Sequence, residues 1–166
     1  MIIIVFGLPG SGKSYFASRL AGNMEASYVS SDVIRKQLFE VIEYSIEEKK
    51  MVYEVMMKEM KKCIQLGEDI VLDATFYKES IRNEFISTAH AYDERILFIE
   101  VRADQQVVLD RLRLKRKYSD ADYSVHVHMK KAFQPLEMDH LIIDSTQENI
   151  KDMIDVALNY IRAGHG

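Results

Sequence analysis

The chain reads as a single α/β domain with a mainly parallel sheet. Two observations carry that expectation. Short apolar runs alternate with longer amphipathic stretches along the 166 residues, the pattern of strands covered on both faces by helices. The first apolar run, residues 2–6, then enters Gly7-Leu8-Pro9-Gly10-Ser11-Gly12-Lys13-Ser14 and continues into helical spacing from Tyr15 to Leu20. Strand, glycine loop, helix is the context in which G-x-x-x-x-G-K-[ST] holds a phosphate chain.

Each element can be justified in turn. Strands are expected at 2–6, 27–31, 69–73, 95–101 and 140–144. Three of them have the near-continuous Ile/Val/Leu character of doubly covered strands; Ser27-Tyr28-Val29-Ser30-Ser31 is weaker and is placed mostly by its position. In the loop, the glycines let the backbone curl so that successive N–H groups face one anion, and the helix behind adds its unpaired first-turn donors. Lys13 can reach the β and γ phosphates, and the Ser14 hydroxyl can ligate Mg²⁺. The nucleotide-binding set is therefore Gly7, Pro9, Gly10, Ser11, Gly12, Lys13 and Ser14. Gly22-Asn23 suits the end of the first helix. Ser45-Ile46-Glu47-Glu48 reads as a capping box opening a long helix that Gly67 closes. The same spacing at Ser145-Thr146-Gln147-Glu148 is expected to open the last helix.

Composition narrows the partners. A net charge of −4 gives no global pull toward nucleic acid or anionic lipid. The lone cysteine, Cys63, excludes an internal disulfide and a cysteine-cluster metal site, and fits a small buried hydrophobe. The first apolar run is too short to cross a bilayer, so a cytoplasmic protein without signal peptide or membrane span is expected. No repeat or linker divides the chain.

Ligands in open α/β sheets collect outside the carboxyl ends of the strands, and there the chain carries Asp32, Asp73, Glu100 and Asp144. An acid after a strand also caps the next helix, so structural use is an alternative for each. In Asp32-Val33-Ile34-Arg35 the acid and the guanidinium share one helical face. Asp32 could accept a proton from an attacking hydroxyl while Arg35 holds an acidic acceptor group or fixes the carboxylate; equally, Asp32 could be a helix cap and Arg35 a solvent-facing cation. Ile70-Val71-Leu72-Asp73 and Leu141-Ile142-Ile143-Asp144 both have the form of a strand ending in an acid near a metal. We favour Asp73, because Asp144 is followed by a capping box whereas Asp73 leads into Ala74-Thr75.

Arg111-Leu112-Arg113-Leu114-Lys115-Arg116-Lys117 is the one concentrated basic run, on a helix expected to begin near Ala103-Asp104. It can be a solvated face, or a mobile lid across about 111–133 that brings a cation to a migrating phosphoryl group. Met51, Val52, Val55, Met56 and Met60 recur at helical spacing and are most simply core. His126 and His128 stand two apart in a helical stretch and make a poor metal pair. The tyrosines are scattered and trace no stacking platform.

Together Gly7–Ser14, Ser31-Asp32-x-x-Arg35, Leu72-Asp73-Ala74-Thr75, the basic run and Ser119-Asp120-Ala121-Asp122 resemble the P-loop kinases of the zeta-toxin, chloramphenicol phosphotransferase and polynucleotide 5′-kinase group, from the first strand to about Leu136. The resemblance implies a nucleoside-monophosphate-kinase-like fold with a five-stranded parallel sheet and a helical lid. It implies Lys13 and Ser14 serving ATP and Mg²⁺, Asp32 as general base and also near the metal through water, and Arg35 holding a phosphate on the acceptor. Asp73 would support Asp32, Arg35 or the metal's waters, with Thr75 beside it on the substrate side. Those relatives carry two lid arginines four residues apart; here Arg111 is followed at that spacing by Lys115. We therefore expect Arg116, then Arg111, at the transferred phosphoryl, since a guanidinium fork suits phosphate better than an ammonium. The implied activity is transfer of the γ-phosphoryl of ATP to a hydroxyl, best matched by a polynucleotide 5′-hydroxyl, with a small-molecule alcohol as the alternative. An ATP-hydrolysing switch is a further alternative, disfavoured by the absence of Asn-Lys-x-Asp and Leu-Ser-Gly-Gly.

Overall fold

In the computed structural model five strands form one all-parallel sheet in the order β2-β3-β1-β4-β5. The structure describes residues 1–115 and 121–164, with side chains for all of these except 112–115 and 121–124. The strands are β1 (Ile2–Phe6), β2 (Ser27–Ser30), β3 (Ile70–Asp73), β4 (Ile96–Arg102) and β5 (Leu141–Asp144). The helices are α1 (Lys13–Met24), α2 (Ser31–Leu38), α3 (Ile46–Leu66), α4 (Glu79–Ala91), α5 (Gln105–Lys115), α6 (Ala121–Ala132) and α7 (Ile150–Ala163).

The period-two alternation of a strand divides the core into two layers. Ile2, Ile4 and Phe6 of β1 face one side and pack with Val52, Met56 and Met60 of α3 and Phe85 of α4. Ile3 and Val5 face the other side, against Phe16 and Leu20 of α1 and Met153 and Ala157 of α7. The three central strands are thus sealed between helices, which is why their sequences are almost wholly apolar. At the edge, β2 is only partly buried, and its mixed composition follows. Cys63 is a buried member of the first layer. Met51, expected in the core, is instead 45% exposed: it lies one position off the Val52–Met56–Met60–Cys63 stripe that faces the sheet.

Three expected boundaries change for physical reasons. α1 continues past Gly22-Asn23 to Met24 and ends on Glu25 in the left-handed region (φ 53°), whose N–H reaches back to the Ala21 and Gly22 carbonyls. α5 starts at Gln105, one residue beyond the expected start. The last helix starts at Ile150 rather than at the Ser145 box, because Asn149 is its N-cap and the Ser145 hydroxyl is engaged by Arg111. The Ser45 box does form. The Ser45 hydroxyl accepts from the Glu48 N–H (3.1 Å), while the Glu48 carboxylate accepts from the backbone N–H groups of Glu43 (2.9 Å) and Tyr44 (2.7 Å). That buried carboxylate pins the loop before α3.

Candidate active site

β1 delivers the phosphate loop to the centre of the sheet's carboxyl edge. Gly7 turns the chain so close to β4 that a Cβ there would lie 2.3 Å from the Val101 carbonyl oxygen. Gly12 caps α1 with φ 89°, so Lys13 and Ser14 are the first residues of the helix and its unpaired N–H groups face the loop. Two residues, one from α5 and one from α6, brace the loop from outside. Arg111 donates to the carbonyls of Gly10 (3.3 Å) and Ser11 (2.9 Å), and to Ser145 Oγ (2.9 Å) and the Thr146 carbonyl (2.6 Å). Burial pulls its guanidinium pKa down, but it remains a cation at neutral pH. His126 of α6 donates from Nδ1 to the Pro9 carbonyl (2.7 Å).

From the loop a cleft of about 820 Å³ opens, with Lys13 and Ser14 on its floor. One arm runs between Arg111, Met129 and the β5–α7 residues Thr146 and Ile150. The other runs past Asp32 and Arg35 of α2 to Thr75 and Tyr77, which follow β3. Asp32 sits in the first turn of α2 with its side chain 65% exposed, one oxygen accepting from Arg35 Nη1 (3.1 Å). Arg35 is buried (8% exposed), lies over the Tyr44 ring at 4.9 Å, and its Nε has no hydrogen-bond partner among the described residues.

Asp73 lies beneath the cleft rather than on its wall. It is opposite Val5 of β1 and Ser30 of β2 and is 1% exposed. One oxygen accepts from the Tyr28 hydroxyl (2.8 Å), and the other has no partner among the described residues. Burial and this carboxylate push the Tyr28 phenol pKa well up, so it stays a donor. Glu100 is turned to other work. It accepts from Arg102 Nη2 (2.7 Å) and lies 3.2 Å from His140 Nε2; burial raises its pKa, but those hydrogen bonds prevail and hold it below the usual carboxylate range. Asp144 is exposed on the edge strand and outside the cleft wall.

Several residues of the cleft carry no signal in one dimension. Tyr44, Tyr53 and Tyr77, scattered in sequence, meet in the second arm with Lys49. The Tyr53 hydroxyl accepts from the Phe76 N–H (3.0 Å) and so fixes the turn after β3. Arg82 of α4 is among the largest fully buried side chains. It donates to the carbonyls of Phe76 (2.8 Å), Gln134 (2.8 Å) and Pro135 (3.0 Å), clamping that turn to the segment that leaves α6. Of the expected site residues, Lys13, Ser14, Asp32, Arg35, Thr75 and Arg111 line one cleft, and Asp73 lies below it. Arg116 falls outside the described residues, as do Lys117–Asp120 of the expected lid.

An all-parallel sheet flanked by helices, with its central strand running into a lysine-bearing glycine loop, defines the P-loop kinase fold. A family profile described as AAA domain matches residues 2–136, and the chain belongs to that family. Solved structures share the fold at low identity. A sugar kinase from Janibacter aligns with TM-score 0.72 at 16% identity, over 98% of this chain and 95% of that one. A gluconokinase from Sinorhizobium meliloti aligns with TM-score 0.71 at 17% identity, over 98% and 97%. The Mycobacterium tuberculosis APS kinase CysC in complex with AMPPNP and APS aligns with TM-score 0.72 at 13% identity, over 97% and 96%.

Proposed function

We propose that the chain, acting as one domain across 1–166, is an ATP-dependent kinase that moves the γ-phosphoryl to a hydroxyl of a small molecule. One observation carries the reading: a single cleft joins the Lys13–Ser14 floor to the Asp32–Arg35 pair, so a phosphate chain and an alcohol can meet there. The polynucleotide 5′-hydroxyl expected from the sequence fits less well. The solved structures that share the fold include sugar, gluconate and APS kinases.

In this reading the loop amides and Lys13 hold the phosphates and offset charge as it shifts toward the leaving oxygen. Asp32 takes the proton of the acceptor hydroxyl; the oxygen–phosphorus bond forms as the β–γ bridging bond breaks, and ADP leaves. Arg35 keeps the Asp32 carboxylate oriented. Arg111 acts on the loop's shape, since its hydrogen bonds go to loop carbonyls and the β5–α7 turn, and the lid cation at the phosphoryl is assigned to Arg116. The donors suit Mg²⁺: Ser14 offers a hydroxyl and Asp73 a buried carboxylate oxygen lacking a partner among the described residues, both hard oxygen ligands, the latter acting through water. Bound there, the ion would neutralise phosphate charge.

The test is ADP release from ATP across sugars, sugar acids, nucleosides and a 5′-hydroxyl oligonucleotide, with the phosphorylated product identified by mass. A small alcohol should stimulate ADP release and gain one phosphate. Turnover on the oligonucleotide alone, or ATP loss independent of every acceptor, would contradict the reading.

A further inference from the structure

The second arm of the cleft holds more positive charge than its acids balance. Asp32 is paired to Arg35 Nη1 at 3.1 Å, and Glu48 is turned away to the Glu43 and Tyr44 amides. That leaves Lys49, on the first turns of α3, half-buried beside the cleft. Among the described residues no carboxylate lies within ion-pair distance of it. Its neighbours are cations and rings. Lys49 Nζ stands 5.4 Å from the centre of the Tyr77 ring, and Lys78 Nζ stands 5.6 Å from that same ring. Burial, with repulsion from Arg35 and Lys78, pulls the Lys49 ammonium pKa down. The Arg35 Nε, nine-tenths buried in the same wall, is a donor without an acceptor among the described residues. A ring face only partly offsets the desolvation of an ammonium, and an unpaired guanidinium N–H is costly to bury. An anion seated on Lys49 would offset the ammonium's cost and lower its repulsion from Arg35.

We propose that the acceptor is an anionic alcohol, whose compact carboxylate or phosphate group seats on Lys49 beside Arg35 and the Tyr77 ring, and that Lys49 sets this preference. The inference rests on the kinase reading for its chemistry, but the anion seat itself does not depend on turnover. In this arrangement the charged end of the acceptor sits on Lys49 and its hydroxyl faces Asp32 and the phosphate loop.

Two arms separate these claims. In the first, kcat/KM is compared for matched pairs, gluconate against glucose and a nucleoside 3′-monophosphate against its nucleoside, in the wild type, Lys49→Gln and Lys49→Arg. The wild type should favour the charged member of at least one pair. Lys49→Gln should lose roughly 10- to 100-fold of that preference through KM, the size of one charge-assisted hydrogen bond, and Lys49→Arg should keep most of it. The matched pairs also tell carboxylate from phosphate. In the second arm, inorganic phosphate is titrated calorimetrically into protein already saturated with AMPPNP, which fills the phosphate loop. Phosphate should bind the wild type and bind Lys49→Gln weakly, while AMPPNP affinity shows that the variant is folded. A wild type that prefers the neutral members, or a Lys49→Gln variant with undiminished preference or phosphate binding, would overturn the proposal. Phosphate binding lost on Lys49→Gln in a protein that phosphorylates nothing would instead retain the anion seat and reject the kinase reading.

Discussion

Replacing Arg82 by methionine tests how the second arm of the cleft is built. Arg82 is 1% exposed and donates three hydrogen bonds to main-chain carbonyls, and among the described residues no carboxylate pairs with it. Methionine keeps much of the apolar stem and removes every donor. A hydrogen bond from a charged group contributes about 1.5–3 kcal/mol. The gain is not additive over three, because the guanidinium itself costs several kcal/mol to desolvate and that cost disappears with it. A net loss of about 3–5 kcal/mol follows, near the top of what single substitutions do. At roughly 2–4 °C per kcal/mol for a chain of this size, Tm should fall by about 6–20 °C. Urea unfolding gives the stability change directly. The same clamp holds the turn carrying Thr75 and Tyr77 to the segment leaving α6, so acceptor KM should rise more than the KM for ATP. A stability change below about 1 kcal/mol, with both KM values intact, would show that the clamp is dispensable and that the arm is shaped by other contacts.

Lys13→Ala should abolish measurable turnover, since Lys13 opens α1 at the cleft floor; residual activity above one per cent of wild type would argue against its phosphate role. Asp32→Asn should retain ATP binding, measured calorimetrically, while kcat falls by about 10²–10⁴. Glu100 supplies a pH dependence. Its folded pKa lies below its unfolded one because of Arg102 and His140, so its contribution is complete above the unfolded value of about 4.3 and is lost as pH falls through the lower folded value. The urea midpoint should therefore drop on acidification below that point, and Glu100→Gln should show a shallower acid limb. An unchanged limb would remove Glu100 from the account.

Much of this arrangement is legible in one dimension, and the reasons differ by element. β1, β3 and β4 announce themselves because both faces are buried, and the loop because its glycines, lysine and serine must sit at fixed offsets to line up backbone donors. Asp73 is preferred over Asp144 from sequence because a capping box is expected after Asp144; that box does not form, and what separates the two acids in the fold is that β3 lies against β1, whereas β5 is two strands away at the edge. The Ser145 box misleads because a capping signal is local, and Arg111, thirty-four residues away in sequence, competes for the hydroxyl. The second arm of the cleft is legible only as a region, about Arg35 to Met60, and not as a set of residues. Tyr44, Lys49, Tyr53 and Tyr77 come from a loop, one long helix and the turn after β3, and no spacing rule links them before the sheet brings α3 over β3.

The most direct measurement is a crystal structure of the complete chain with AMPPNP, magnesium and an acceptor that supports turnover. The account predicts the acceptor hydroxyl within hydrogen-bond reach of the Asp32 carboxylate and in line with the γ-phosphoryl held over Lys13. An Asp32 side chain turned away from the terminal phosphate, with the hydroxyl served by another group, would contradict it.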